Sequence, residues 1–114
     1  MDRSDLVTAY YDAVDEGDIS AVLALFSDDI VYERPGTPTI VGTDDLGQFY
    51  RTERALTGTH TVHTLTVDGD TVAVRGTFTG EQAGDPVEFG FADFHVIRDG
   101  AITERHTYTD RDTV

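Results

Sequence analysis

The chain of 114 residues contains no cysteine, no lysine and no tryptophan. Without cysteine it can form no disulfide, thiol nucleophile or thiolate metal site, so the fold depends on its apolar core and hydrogen bonds. No run approaches the roughly 18 apolar residues of a membrane span. The first residues, MDRSDL, are charged rather than apolar and do not resemble a targeting signal. We therefore expect a cytoplasmic protein.

Positive charge is scarce as well. Asp and Glu number 22 against 8 basic residues, all of them Arg, for a formal net charge of −14. Such a surface repels phosphate backbones and anionic headgroups, so we expect neither nucleic acid nor membrane as a partner. The excess of Asp, the absent Lys and the abundant Thr resemble proteins of salt-in halophiles. Since about 1 M salt shortens the Debye length to about 3 Å, we expect stability to rise with salt.

Length and composition predict one folded domain over residues 1–114, with 39% hydrophobic and 26% charged residues. Helical periodicity occupies the N-terminal half. A stripe through Leu6, Tyr10 and Ala13 predicts a first helix that ends at Gly17. Asp18 is placed to cap a short second helix reaching Phe26. A third helix is predicted from a cap at Thr43 to near Ala55, with its apolar face on Leu46, Phe49 and Tyr50.

Alternating patterns predict strands. The first spans Ile30–Arg34, after Ser27, Asp28 and Asp29 end the second helix, and it is broken by the Pro35-Gly36-Thr37-Pro38 segment. From Gly58 onward the chain alternates to its end. Four further strands are predicted at His60–Val67, Thr71–Gly80, Val87–Arg98 and Ala101–Tyr108. Helices segregated beside an antiparallel meander form an α+β fold, whose sheet curves around a space suited to a ligand.

Asp93 interrupts the apolar face of the strand Val87–Arg98. Both faces of this strand are apolar, so we expect it to be covered on both sides and Asp93 to be desolvated. Burial should then raise the pKa of Asp93 and let it donate a hydrogen bond near neutral pH. The alternative is a carboxylate satisfied by backbone N–H groups or by an arginine such as Arg75.

The spacing of other polar residues indicates which of them can face the interior or share a site. Tyr10 lies on the Leu6 stripe and is the inward candidate beside Tyr11. His60 and His63 are three apart on a strand, so they point to opposite faces and no metal site is expected. His106 lies in a polar and aromatic cluster on the last strand and can titrate near neutral pH. No glycine-rich nucleotide motif is present.

Several segments, in order and spacing, resemble the nuclear transport factor two-like superfamily in its ketosteroid isomerase and SnoaL-like branch. The resemblance covers nearly the whole chain. It is carried by Ala13-Val14-Asp15-Glu16-Gly17-Asp18, Ala24-Leu25-Phe26-Ser27-Asp28-Asp29, Pro35-Gly36, Gly42, Asp68-Gly69-Asp70-Thr71-Val72-Ala73-Val74, Phe91-Ala92-Asp93-Phe94 and Arg98-Asp99-Gly100-Ala101-Ile102.

The resemblance implies a cone: three helices on a strongly curved mixed sheet that forms a half-barrel around an apolar pocket, often in a homodimer, without a cofactor. It also implies that Tyr10 and Asp93 occupy the oxyanion-hole positions of the isomerase. Arg34 stands where the isomerase has its base, and it cannot accept a proton. The SnoaL-like cyclases indicate Asp110 and His106 as alternative groups for proton transfer.

Two functions follow from these residues. In the first, an isomerase-like or cyclase-like enzyme stabilises the enolate of a small hydrophobic carbonyl compound, with the proton moved by His106, Asp110 or Asp93. Arg34 would anchor a carboxylate, and the substrate would contact Phe91, His95 and Phe49. In the second, the domain binds an apolar ligand without catalysis. An epoxide hydrolase of this fold ranks lower, because no strand shows Arg-x-Asp.

Overall fold

The computed structural model describes residues 1–111 and 114, and in this part of the chain three α-helices and a π-helix pack on one six-stranded sheet. The α-helices are α1 (Arg3–Glu16), α2 (Ile19–Leu23) and α3 (Thr43–Gln48), and the π-helix (Phe49–Glu53) continues α3. Of these helices, α1 is the longest, with 14 residues. None in the described part is long and apolar enough to cross a membrane.

The sheet is mixed, as the resemblance implies. Its strands are β1 (Phe26–Arg34), β2 (Thr37–Val41), β3 (Leu56–Asp68), β4 (Thr71–Gln82), β5 (Asp85–Arg98) and β6 (Ala101–Thr109). The spatial order is β2-β1-β6-β5-β4-β3, and β1 runs parallel to β6 while the other neighbours are antiparallel. The predicted α+β fold, with helices on one curved and unclosed sheet, is confirmed.

The predicted end of α1 and the predicted start of α2 are confirmed by their capping geometry. Gly17 adopts φ 75°, the left-handed conformation, and its N–H faces the carbonyl oxygens of Ala13 and Val14. The Asp18 side chain accepts the N–H of Ala21 at 3.1 Å and so caps α2. The third helix departs from expectation: Gly42 is its N-cap, Thr43 is already helical, and the regular α-helix ends at Gln48.

The sheet corrects two predictions around β1. This strand begins at Phe26, so Phe26 to Asp29 are extended and do not end a helix. The Pro35-Gly36 step does not end pairing; it turns the chain into β2, which pairs antiparallel with β1. Pro38 is tolerated because β2 lies at the edge of the sheet, where one side of the strand has no ladder partner. The four C-terminal strands are confirmed, with longer ends.

The core lies between the helices and one face of the sheet. From α1, Leu6, Val7, Tyr10 and Tyr11 are all buried, and odd-numbered residues of β5 face them. The opposite face of β5 is open, since Phe94 is 42% exposed. The prediction that β5 is covered on both sides is therefore wrong for the isolated chain.

Candidate functional site

A cavity lies between α1 and the inner face of β1, β3, β5 and β6. Its volume is about 300 Å³, which includes the open space at its mouth. The enclosed inner part holds about one water, so a larger ligand must also occupy the mouth of the cavity. The lining mixes aromatic, aliphatic and charged side chains: Tyr10, Tyr32, Arg34, Arg54, Leu56, His60, Phe89, Phe91, Asp93, Arg105, Thr107, Thr109 and Val114.

Asp93 accepts three hydrogen bonds in this cavity. Arg105 Nη2 donates to its Oδ2 at 2.8 Å, and the Tyr11 hydroxyl donates to the same oxygen at 2.6 Å. Thr107 Oγ1 donates to its Oδ1 at 2.6 Å. Asp93 and Arg105 are only 1% and 2% exposed. The predicted burial of Asp93 is confirmed, and its cationic partner is Arg105 on the neighbouring strand β6.

The charge state of Asp93 contradicts the prediction of a protonated donor and agrees in kind with the alternative, a carboxylate paired with an arginine. Burial by itself raises the pKa of this carboxyl, but Arg105 and the hydrogen-bond donors lower it to about 2. Asp93 is therefore an ionised acceptor at neutral pH and cannot donate to a ligand oxygen. Arg75, the cation considered from sequence, is exposed and donates to Thr64 instead.

Arg105 is held between two aromatic rings. Its guanidinium carbon lies 4.3 Å from the centre of the Tyr10 ring and 4.6 Å from that of Tyr32, within the range of cation–π contacts. Nη2 binds Asp93, while the buried Nε and Nη1 have no hydrogen-bond partner among the described residues. Burial opposes the charge of Arg105, but Asp93 raises its pKa, so the side chain stays cationic.

Tyr10 and Tyr11 have separate partners. Tyr11, and not Tyr10, binds Asp93. The Tyr10 hydroxyl lies 2.7 Å from that of Tyr50, and Tyr10 lines the cavity. Burial raises the pKa of Tyr10 well above its usual value, so it keeps its proton. If Tyr50 donates to Tyr10, the Tyr10 proton is free to donate into the cavity.

Two residues expected to contact substrate lie behind the lining. His95 is fully buried, and its Nε2 lies 3.1 Å from the Tyr11 hydroxyl. Burial and Arg105 lower the pKa of His95 to about 3, so the ring is neutral. Phe49 is buried beneath the Arg34 guanidinium, 4.8 Å from ring centre to carbon. Both residues support lining side chains and do not face the cavity.

His106 and Asp110 are placed outside the cavity. Strand alternation puts His106 on the outer face of β6, where its Nδ1 lies 3.1 Å from Glu33 Oε1. Asp110 follows β6 and accepts the N–H of Gly90 at 3.0 Å from an exposed position. The expectation that either residue moves a proton in the pocket does not agree with this geometry.

Arg34 and Phe91 do line the cavity. Arg34 Nη1 donates to the Tyr32 hydroxyl at 3.0 Å. Its Nε and Nη2 both donate to the carbonyl oxygen of Val114, at 3.1 and 2.7 Å. The Arg34 guanidinium is thus directed inward and already holds one oxygen.

Sequence reasoning missed a carboxylate and histidine pair. His60 Nδ1 lies 2.6 Å from Asp15 Oδ1, and the His60 backbone N–H donates to Asp15 Oδ2 at 2.9 Å. The two residues are 45 positions apart, so no local motif joins them. Arg105 and Thr107 were missed too, although alternation along β6 predicts that they share a face. In the described part of the chain, no three acidic or histidine side chains converge to hold a metal ion.

Several solved structures resemble this chain, and their names include an epoxide hydrolase, a polyketide cyclase and a ketosteroid isomerase. A Mycobacterium tuberculosis epoxide hydrolase of the LEH-like type is 26% identical, with a TM-score of 0.82 over 93% of this chain and 80% of its own. A Sinorhizobium meliloti protein provisionally named a polyketide cyclase is 26% identical, with a TM-score of 0.73 over 91% and 94%. A Kribbella flavida protein provisionally named a ketosteroid isomerase is 24% identical, with a TM-score of 0.78 over 94% and 76%, and shows the fold alone.

No curated protein matches the chain. The sequence matches the family described as the SnoaL-like domain over residues 7–105, which is most of its length. Proteins named as cyclases and isomerases are among its structural neighbours. By the extent of the family match, this chain belongs to the SnoaL-like domain family.

Proposed function

We propose that this protein is an isomerase-like or cyclase-like enzyme that binds a small carbonyl compound with an anionic group and stabilises its enolate. One observation carries the proposal: Arg105 lines the cavity with two buried donor nitrogens, Nε and Nη1, that lack a partner among the described residues. A buried donor without a partner costs about 1–3 kcal/mol. A ligand oxygen that accepts from Arg105 removes this penalty.

The charge of the cavity favours an anionic ligand. Three of the eight arginines line it, namely Arg34, Arg54 and Arg105, whereas Asp93 is the one acid among the described lining residues. The rest of this chain of net charge −14 is acidic. Arg34 already holds the oxygen of Val114, but Arg54 has a buried Nε without a partner in the described residues. We assign the carboxylate of the ligand to Arg54 and its carbonyl oxygen to Arg105.

Enolate chemistry needs donors aimed at one oxygen. In this proposal Arg105 and the Tyr10 hydroxyl donate to the carbonyl oxygen as negative charge develops on it. Tyr10 fits this role because Tyr50 can supply its second hydrogen bond. Asp93 then acts on Arg105, holding the guanidinium in place, and does not donate to the ligand itself.

The test uses levulinate, an enolisable keto acid, and its methyl ester. We expect saturable binding of levulinate by calorimetry, and exchange of its α-protons in D₂O above the buffer rate by NMR. The ester should bind at least about tenfold more weakly, since it lacks the charge that Arg54 holds. Tyr10→Phe should slow exchange by about 10²-fold or more. Tyr108→Phe, at an exposed tyrosine of the outer face, is the matched control.

The second candidate is a non-catalytic ligand-binding domain. It is favoured by Arg34, which occupies the position of the isomerase base and cannot accept a proton. Under this hypothesis levulinate binds and Arg54→Gln weakens binding, but α-proton exchange stays at the buffer rate. Absence of both binding and exchange for this keto acid and for neutral ketones would contradict both candidates.

A further inference from the structure

His60 is held by Asp15 at two points. Oδ1 of this carboxylate lies 2.6 Å from the ring Nδ1, and Oδ2 accepts the backbone N–H at 2.9 Å. The side chain of His60 is 9% exposed and that of Asp15 is 21% exposed. The imidazole thus has a fixed position and a fixed orientation.

The topology explains why this pair forms. β3 is the edge strand of the sheet, and its residue His60 opposes Phe78 of β4. The outward N–H groups of an edge strand have no neighbouring strand whose carbonyl oxygens could accept them. Asp15, in the last turn of α1, supplies that acceptor. If Asp15 only held the edge strand in place, its contact with the His60 backbone N–H would be enough. Its other oxygen, Oδ1, contacts the imidazole ring as well.

The contact with Asp15 determines the tautomer of His60. An ionised carboxylate can only accept, so the neutral ring carries its proton on Nδ1. Nε2 then has a free lone pair. Among the described residues no hydrogen bond to Nε2 is found, and His60 lines the cavity, with its ring packed against Phe78 and Phe91.

We propose that His60 is the proton acceptor of this cavity and that Asp15 is its positioning residue, an inference that rests on the proposed function. In the reaction, an α C–H bond of the ligand breaks and an N–H bond forms at Nε2. The electron pair moves into the carbon–carbon bond of the enolate, and the charge on its oxygen faces Arg105. Return of the proton from Nε2 to the same carbon gives α-proton exchange; in a β,γ-unsaturated ligand, its return to the γ carbon shifts the double bond to the α,β position and completes an isomerisation. Asp15 stabilises the imidazolium in between.

The surroundings of His60 suit this role. Burial lowers its pKa, whereas Asp15 and Asp93 raise it and Arg54 lowers it, with a net shift downward. The ring is therefore neutral at pH 7. The Tyr11 ring packs at 5.2 Å between centres and keeps water from that side. No other histidine lines the described cavity, since His63 is exposed, His95 is buried behind Tyr11 and His106 is on the outer face.

The first experiment is ¹⁵N NMR of the four histidine side chains in the ligand-free protein. We expect a neutral His60 at pH 7 with its proton on Nδ1, and a mixed tautomer in Asp15→Asn. A His60 that is protonated on Nε2 at pH 7 would overturn the inference whatever the enzyme activity. Because this measurement uses the wild-type protein, it does not depend on whether a His60 variant folds.

The second experiment compares α-proton exchange of levulinate. His60→Gln should lower the rate by about 10²-fold or more, with little change in the affinity for levulinate. His63→Gln, on the same strand, is the matched control and should retain the wild-type rate. Wild-type exchange that His60→Gln leaves intact overturns the role of His60 and leaves the proposed function standing. No exchange by the wild-type protein overturns the catalytic function itself, and with it the role of His60.

Discussion

Arg105 Nη2 donates to Asp93 Oδ2 at 2.8 Å, and both side chains are almost fully shielded from water. The two residues lie on neighbouring strands, β6 and β5. Tyr11 and Thr107 satisfy further lone pairs of the carboxylate. The two residues thus form a buried ion pair in the lining of the cavity, and removal of one partner leaves the other charge buried and unpaired.

Asp93→Asn tests this dependence. The amide keeps the shape of the side chain but leaves the Arg105 cation buried without a counter-charge. We expect the free energy of unfolding to fall by about 3–5 kcal/mol. Urea denaturation in molar KCl measures it. Asp85→Asn, at an exposed aspartate, should change stability by less than about 0.5 kcal/mol.

The double variant Asp93→Leu with Arg105→Met measures the energetic coupling between the two residues. Since neither charge is then buried, we expect the double variant to lose less stability than the sum of the two single variants. Additive losses would show that the two residues are energetically independent, contrary to the geometry.

The lowered pKa of His95 predicts that the free energy of unfolding depends on pH. Burial and Arg105 lower its folded-state pKa to about 3 from an ordinary value near 6.5. The stability that comes from keeping the ring neutral is complete above about pH 6.5 and is lost as the pH falls toward 3. Between pH 6.5 and 5 the loss is up to about 2 kcal/mol.

Denaturation of the wild-type protein and of His95→Gln at pH 7 and pH 5 measures this contribution. Molar KCl keeps the changing net charge screened. The wild-type protein should lose more stability than His95→Gln on acidification, whereas the exposed His63→Gln should behave as wild type. Equal losses in the wild-type protein and His95→Gln would count against a neutral, buried His95.

Gly76 lies where β4 passes close to its neighbours. A Cβ at this position would be 2.3 Å from the carbonyl oxygen of Thr61 and 2.7 Å from the ring of Phe91. Gly76→Ala should therefore lower the free energy of unfolding by about 1–3 kcal/mol. Gly90→Ala is the control, because its nearest contact is 3.3 Å from the flexible carboxylate of Asp110. Similar stabilities of the two variants would contradict this account.

The net charge of −14 predicts a dependence on salt. Raising KCl from about 0.1 M to 1 M shortens the Debye length from about 10 Å to about 3 Å and weakens self-repulsion. We expect the melting temperature to rise over this range, as measured by circular dichroism. An unchanged melting temperature would contradict a halophilic adaptation. Sodium chloride should act like KCl if screening is the cause.

The fold could be predicted where the local pattern and the final environment agree. Gly17 ends α1 and Asp18 caps α2 as predicted, because capping involves only neighbouring residues. β2 was missed because Pro38 indicates a break. Its position at the sheet edge, which makes that proline harmless, depends on the complete strand order.

The site was predicted in part. Tyr10, Arg34, Phe91 and Asp93 do line the cavity. Helical periodicity indicated the inward position of Tyr10, and the family resemblance indicated site positions for Tyr10, Arg34 and Asp93. The ionisation of Asp93 was predicted with the wrong sign, because burial was counted and Arg105 was not. His106 was a candidate whose face stayed open, since alternation establishes that neighbours differ but not which one points inward; the structure places it on the outer face.

The sequence by itself determined the α+β class, the order of most elements, the family, the burial of Asp93 and the acidic surface. The family follows from the resemblance of several segments in order and spacing, and the rest depends on periodicity, on local caps and on composition. Only the tertiary structure decided that Asp93 pairs with Arg105, that Tyr11 binds Asp93, and that Asp15 orients His60. Such contacts join residues far apart in the chain. Their charges shift one another's pKa only after strand register and helix packing bring them within a few ångströms.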